Sequence, residues 1–393
     1  MEKVFNALGR LFNKPEPISP GIYPYQSPPD AERQIRFHLR VHPDGSGLLI
    51  LNASTVLHLN QTGAEFAYHL AQGTPVPEAV QQIASRYQIS PARVREDFQE
   101  FQHQIHTMLE VEDLDPVTYF NLEREQPYTG AENAPYRLDC ALTYRLPENS
   151  HPDLAPLRRV DRELETSEWK RILDKAWKAG IPQVIFTGGE PTLREDLLKL
   201  IAHAEKNGQV TGLLSAGQRL SDPIYREDLL QTGLDHLMYV LSPQEEESWD
   251  TLGQILAEDL FTTVHLTLKP EGIENLTSYL NTLGDLNANA LSLSVNDPED
   301  PTLRGHLDQA RDLAAENGLT LKWDLPVPYS RHNPVALEIE SDRGAQPGKA
   351  VLYVEPDGDV LPAQGINQVL GNLLTGEWES IWGAASASPP AGS

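Results

Sequence analysis

The sequence holds one cysteine, Cys140, in 393 residues. One thiol cannot close an intrachain disulfide, so no disulfide framework holds this fold. Nor can it supply the three or four thiolates of ordinary iron–sulfur ligation. Basic residues are scarce too, with 31 Lys and Arg against 57 Asp and Glu and a formal net charge of −26. Nucleic-acid affinity rests on neutralising phosphates with Lys and Arg, so this balance argues against a nucleic-acid partner. It favours neutral or cationic partners instead. No apolar run reaches the about 18 residues of a membrane-spanning helix. No continuous apolar stretch with a small-residue cleavage site opens the chain, so a secretory signal is not expected and a cytoplasmic location is the default. What is present suffices for a core. Apolar residues make up 39% and charged residues 22% of the chain, enough for two or three folded domains.

Residues 1–34 combine a short amphipathic pattern with a proline-rich stretch. Val4, Phe5, Leu8, Leu11 and Phe12 recur at helical spacing, with Lys3 and Arg10 opposite. Such a helix docks on its own domain, or on a partner or membrane surface. Pro15 to Pro29 reads as an extended linker. A first domain is expected over residues 35–114. Ile35, Phe37, Leu39 and Val41 alternate like a half-buried strand. Pro43-Asp44-Gly45-Ser46-Gly47 forms a turn, Leu48 to Leu51 resumes as a strand, and Val56 to Leu59 makes a third. Three helices follow, over Gln61 to Leu70, Pro77 to Tyr87, and onward from a Ser90 cap with Pro91 in the first turn. Acidic, turn-rich residues 115–134 read as a second linker.

From Tyr136, apolar runs alternate with helical segments. Strands are expected at Val184 to Phe186, Val210 to Leu214, Leu237 to Leu241, Val264 to Leu268, Leu291 to Val295 and Leu319 to Trp323. Helices are expected at Ser167 to Ala179, capped by Ser167, and at Glu195 to Lys206. Strands separated by helices imply a parallel sheet. The fold class is therefore α/β, with a partial or full β/α barrel, or alternatively an open doubly wound sheet. Phe186-Thr187-Gly188-Gly189-Glu190-Pro191-Thr192-Leu193-Arg194 stands at a strand's carboxyl end before a helix. Ligands bind at such ends. Paired glycines let a ligand approach the backbone, and Glu190 offers a carboxylate to an ammonium group. A plain tight turn is the other reading.

This motif resembles the one by which radical SAM enzymes hold the methionine ammonium of S-adenosyl-L-methionine. Tyr136 to Leu142 resembles that family's first strand, running into its cluster loop. Ser215-Ala216-Gly217 stands where the family often has Thr-Asn-Gly, and Tyr239 to Ser242 where it often has a Ser-Leu-Asp strand end. Asn275 sits where an asparagine is common. The resemblance implies a partial barrel over residues 135–335 and cofactor-binding roles for Gly188, Gly189, Glu190, Pro191, Ser215 and Ser242. It also implies a 4Fe–4S cluster on three cysteines, spaced with three and then two residues between them. Counted from Cys140, the other two places hold Tyr144 and Pro147. Neither replaces a thiolate. Cys140 is then a vestigial metal ligand and an inert buried thiol, and the cluster is expected to be absent. His151 and Asp153, as replacement ligands, compete with a solvated loop.

Residues 348–362 read as a hairpin around Pro356-Asp357-Gly358-Asp359, followed by Gly371-Asn372-Leu373 and Ile381-Trp382. Residues 336–383 thus resemble the SPASM or twitch extension of the same family. Ala350 and Ala363 stand near where its auxiliary-cluster cysteines would be. Residues 384–393 read as a disordered tail. The first domain resembles the PqqD family, small winged-helix-like peptide-binding chaperones of radical SAM pathways. The matching residues are Leu51-Asn52, Val56 to Ala64, Gly73, Val76 to Val80, Tyr87 to Ser90 and the helix from Val94 to Ile105. A DNA-reading winged helix is the alternative. Together these resemblances imply a degenerate, non-catalytic radical SAM-like protein acting in peptide modification or peptide-derived cofactor maturation. Its implied partners are a precursor peptide and an intact radical SAM enzyme. The alternative is an active enzyme whose cluster ligation is unusual or supplied by a partner chain.

Overall fold

The structure, a computed structural model, describes residues 18–28, 35–51, 55–110, 134–148, 160–270, 273–295, 300–321, 351–364 and 366–387. The chain forms two compact units, residues 1–125 and 126–393. The expected helix over residues 1–13, Ala350, His151, Asp153 and residues 388–393 lie outside the described residues.

The first unit is a four-stranded antiparallel sheet with three helices. Strands β1 (Gly21–Gln26), β2 (Arg36–Val41), β3 (Gly47–Leu51) and β4 (Thr55–Leu59) pair in that order. Helices α1 (Gln61–Ala71), α2 (Val76–Tyr87) and α3 (Pro91–Glu110) follow. The register sets Leu39 beside Leu49, and Leu49 beside Leu57. This face buries against Phe66, Val80, Ile83, Val94 and Phe98. The Asn60 side chain caps α1, accepting from Gly63 N at 2.9 Å. Ser90 caps α3, accepting from Arg93 N at 3.3 Å. Strand β1 corrects the linker reading of Pro15 to Pro29. Residues 21–26 are an edge strand, with Pro24 opposite His38. An edge tolerates proline because its outer side needs no ladder hydrogen bond. Tyr23 and Tyr25 anchor the strand to the core, and Tyr25 stacks on Phe37 at 4.7 Å. The domain therefore begins before residue 35.

The second unit alternates strand and helix. Its elements are β5 (Arg137–Thr143), α4 (Thr166–Ala179), β6 (Gln183–Gly188), α5 (Leu197–Asn207), β7 (Val210–Ser215) and α6 (Pro223–Leu230). Next come β8 (His236–Val240), α7 (Glu246–Leu256), β9 (Phe261–Leu268), α8 (Leu276–Asp285), β10 (Ala290–Val295) and α9 (Pro301–Glu316). Strands β5 to β10 are parallel and lie side by side in chain order. Right-handed crossovers that always advance one way put every helix on one face. This excludes the doubly wound alternative, which needs a point where strand order reverses. The architecture is the partial β/α barrel. Helix α4 shows how the sequence builds it. Trp169, Ile172, Leu173 and Ala176 form one buried stripe at helical spacing. Ser167 is not its cap. The helix starts one residue earlier, and the Glu168 carboxylate accepts from Glu165 N at 3.0 Å. The expected strand at Leu319 to Trp323 is reduced, among the described residues, to a single bridge from Leu321 to Leu291.

The carboxyl-terminal hairpin joins the same sheet. Strand β11 (Val351–Val354) runs parallel to β5 on its free side, and β12 (Asp359–Leu361) and β13 (Gly371–Asn372) continue antiparallel. The Pro-Asp-Gly turn forms as expected, with Gly358 at φ 91°. Asn372 ties it, donating to Asp357 O at 3.1 Å and to Asp359 Oδ1 at 3.0 Å. Helix α10 (Trp378–Ala387) carries on into the segment read as a disordered tail. Its buried Ile381 and Ala385 hold it to the core.

In the first unit Phe98 is fully buried, with Phe66 at 5.4 Å. Phe98→Ala should cost that unit about 3–5 kcal/mol. Hydrogen exchange of α1 to α3 amides would show it, with the second unit unchanged.

Candidate functional site

Strand β6 ends at Gly188, whose φ of +122° disfavours side chains. The next turn is closed from the neighbouring strand's exit. Gly189 N donates to Thr143 O at 2.7 Å, and Glu190 N to Arg145 O at 2.8 Å. A Cβ on Gly188 would overlap the Thr143 carbonyl oxygen, and one on Gly189 that of Arg145. The expected close approach to the glycine pair is real, but the chain's own backbone makes it. Pro191 opens a 3-10 turn, Pro191–Leu193, where no amide is missed.

Glu190 lies inside this turn at 1% exposure. Its Oε1 accepts from Thr192 N at 3.0 Å, Thr192 Oγ1 at 2.5 Å and Ser215 Oγ at 2.8 Å. Its Oε2 accepts from Ala216 N at 2.8 Å. A carboxylate has about four lone-pair sites, so these donors satisfy it internally. Burial raises its pKa, against the pull of the Thr192, Ala216 and Ser215 hydrogen bonds. Ser215 Oγ also accepts from Gly217 N at 3.0 Å, and Gly217 packs under the Tyr239 ring. Tyr239 donates to Ser248 O at 2.9 Å, and Ser248 Oγ accepts from Ser242 N at 3.1 Å. The structure thus brings together Gly188, Gly189, Glu190, Pro191 and Ser215. Ser242 joins at second remove, through its amide.

Cys140 does not stand at a loop. It lies in the middle of β5, opposite Phe186 on β6 and Val354 on β11. Leu138, Cys140 and Leu142 face the helix layer with Trp169 and Ile172. Burial, and then the neighbouring Asp139, push its thiol pKa well up. Cys140 thus stands inside the strand that runs toward the expected cluster loop, and β5 continues three residues beyond it to Thr143. The sequence between β5 and α4, residues 144–165, contains no cysteine. Tyr144 turns the other way, donating to the buried Glu355 at 3.1 Å and packing on Ala141, Tyr353 and Leu361. A 4Fe–4S cluster on three thiolates does not fit these residues.

Arg194, which the sequence reading left without a role, locks the strand ends. It donates to Leu142 O at 3.1 Å and Leu164 O at 3.0 Å, and forks onto Asp196 at 2.9 and 2.8 Å. The only signal in the sequence was an arginine two residues before an aspartate, directly after the motif. Glu355, Asp357 and Asp359 bring oxygens within 4.8 Å of one another. Asp357 accepts from Asp359 N at 3.1 Å, and Glu355 from Tyr144, so these groups already serve the turn. On the sheet face away from the helices, His265 Nδ1 meets Ser292 Oγ at 3.0 Å and Nε2 meets Ser294 Oγ at 3.0 Å. Burial lowers its pKa to about 3.

Two outcomes follow from these packings. Gly188→Ala and Gly189→Ala should each cost about 2–3 kcal/mol with no cofactor added. Gly253→Ala in α7, with open space around it, should be neutral or add up to about 1 kcal/mol. Urea unfolding of the three variants checks this. Because folding depresses the His265 pKa, its neutral form supports the fold above the unfolded value. That support is lost as pH falls from about 6.5 toward 3, by up to about 1.4 kcal/mol per pH unit. His265→Asn should flatten the acid limb of stability against pH.

Residues 140–242 match the radical SAM superfamily, and residues 42–107 match coenzyme PQQ synthesis protein D, PqqD. The PqqA peptide cyclase of Granulibacter bethesdensis is 26% identical over 284 residues, 64% of this chain and 75% of that protein. The PqqA peptide cyclase of Bradyrhizobium diazoefficiens is 27% identical over 278 residues, 64% of this chain and 72% of that one. Streptococcus suis SuiB has the same fold, with a TM-score of 0.57 at 14% identity over 88% of this chain and 86% of its own. SuiB bound to precursor peptide SuiA gives a TM-score of 0.56 at 13% identity, with the same coverage. The chain therefore carries a radical SAM-like region, preceded by a PqqD-like region.

Proposed function

We propose that this protein is a non-catalytic or accessory factor in peptide modification, binding a precursor peptide through its PqqD-like domain. One observation carries the reading. The only cysteine faces the helix layer from mid-strand, and the sequence between β5 and α4 has none. Reductive cleavage of S-adenosyl-L-methionine needs an electron from such a cluster, so the chain alone lacks the source of the radical. The inward-facing motif survives as packing: the glycines admit the Thr143 and Arg145 carbonyls, and Glu190 braces β6 to β7. S-adenosyl-L-methionine binding at Gly188 to Pro191, Ser215 and Ser242 remains part of the proposal, as retention of the turn that would receive it.

The peptide side rests on the sheet edge. Strand β1 covers one edge, so among the described residues β4 is the other edge, with no strand beyond it. An edge of this kind receives an extended peptide by strand addition. The likeness to peptide cyclases and to a structure holding a precursor peptide supports a peptide as ligand. A second reading keeps the activity, with an intact partner enzyme supplying cluster ligands.

Anaerobic reconstitution with iron and sulfide, alone and with the partner enzyme, tests this. The protein alone should show neither a cluster's visible absorbance nor stoichiometric iron, and should form no 5′-deoxyadenosine. A cluster on the isolated chain would sink the proposal. Cluster-dependent cleavage gained only with the partner would favour the second reading.

A further inference from the structure

Helix α7 buries Leu252 and Ile255 in the core of the second unit. Its flank toward α8 is a second stripe, Trp249, Gly253 and Leu256, set at helical spacing. Tyr279 on α8 and Leu286, just past its end, share the facing flank, and all five are half-buried. The Trp249 and Tyr279 rings meet across the seam, with centroids 6.1 Å apart and planes tilted by 39°. Trp249 is held in place, because its Nε1 donates to Pro243 O at 3.0 Å. One turn further, at Gly253, the seam is open: a Cβ there meets nothing within 4 Å. Glycine is the weakest helix former after proline, and neither a positive φ nor a close neighbour requires it here. A bare backbone on a helix flank lets another main chain come close.

The charge around this seam decides what fits it. Glu245 and Glu246 stand one turn before Trp249 on its face. Asp250 follows Trp249, Asp285 precedes Leu286, and Glu274 ends the same group; all five carboxylates are exposed. Among the described residues none of the five forms an ion pair. The small hollow beside Tyr279 adds one base, Lys269. The negative field reaches inward. Burial raises the Tyr239 pKa to about 12, and Glu245 and Glu247 add to the rise against the Ser248 hydrogen bond. A cation over an indole or phenol face is attracted by the ring, and complementary charge alongside steers it there.

We propose that the seam between α7 and α8 docks a short basic segment of a partner protein, with an arginine or lysine over the Trp249 and Tyr279 rings and its main chain against Gly253. Charge complementarity selects this occupant, because an acidic or neutral segment leaves the carboxylates unmatched. The stripe from Trp249 to Leu256 is about 10 Å long, so about three extended residues lie in contact. The assignment does not depend on the role of the N-terminal module.

Fluorescence anisotropy with the full-length protein tests it. The probe is a short dye-labelled peptide of alternating arginine and leucine, and the control is its glutamate and leucine counterpart. The basic peptide should bind saturably and the acidic one should not. Trp249→Ala should weaken binding about tenfold. Gly253→Leu fills the gap and should weaken it as much, while its urea midpoint stays equal or rises. Loss of binding in a protein that is no less stable separates docking from misfolding. Absence of saturable binding overturns the proposal. So does affinity unchanged in Gly253→Leu, which places the peptide elsewhere, the N-terminal module included. Binding lost to Glu245→Lys with Glu246→Lys but kept in Gly253→Leu is charge adsorption alone and overturns it too. If Trp249→Ala does not fold, Gly253→Leu decides alone.

Discussion

Two carbonyl oxygens, those of Thr143 and Arg145, occupy the space that side chains at positions 188 and 189 would need. Much of the second unit's geometry near the site is set by that contact. It fixes where β5 ends relative to β6, and it receives the amides of Gly189 and Glu190. It thereby delivers the Glu190 carboxylate to Thr192 and to the end of β7. Arg194 then draws in Leu142 and Leu164. Three strand ends and two loops are held by one turn, with little water access to weaken the hydrogen bonds.

The same turn gives the motif a structural role of its own in a chain with one cysteine. Its glycines answer a steric demand made by the protein itself, and its glutamate satisfies four internal donors. Replacing them would cost stability even with no cofactor present.

Much of this was legible in the sequence. The apolar runs gave strands β2 to β4 and β6 to β10, the family resemblance gave β5, and Ser90 and Pro91 mark a helix start by local chemistry. The rest was hidden for particular physical reasons. The direction of Cys140 was not readable, because in a strand buried on both faces the sequence has no polar side to show which way a residue points. The pairing of β11 with β5 joins residues far apart in the chain, beyond the reach of any local pattern. Strand β1 was hidden by its prolines, which an edge accepts and a central strand would not. Ser167 lost the cap to a reciprocal Glu165–Glu168 arrangement that reads, by sequence, as ordinary surface charge.

The position of Cys140 has a practical meaning for anyone handling the protein. It is the chain's only thiol, walled in by β5, its neighbours and the helix layer, and held protonated by burial. A thiolate is the reactive species, so the folded protein neither crosslinks through sulfur nor consumes a thiol reagent. Modification of that one sulfur becomes a clock that runs only while the second unit is open, a built-in gauge of how often this sheet parts from its helices.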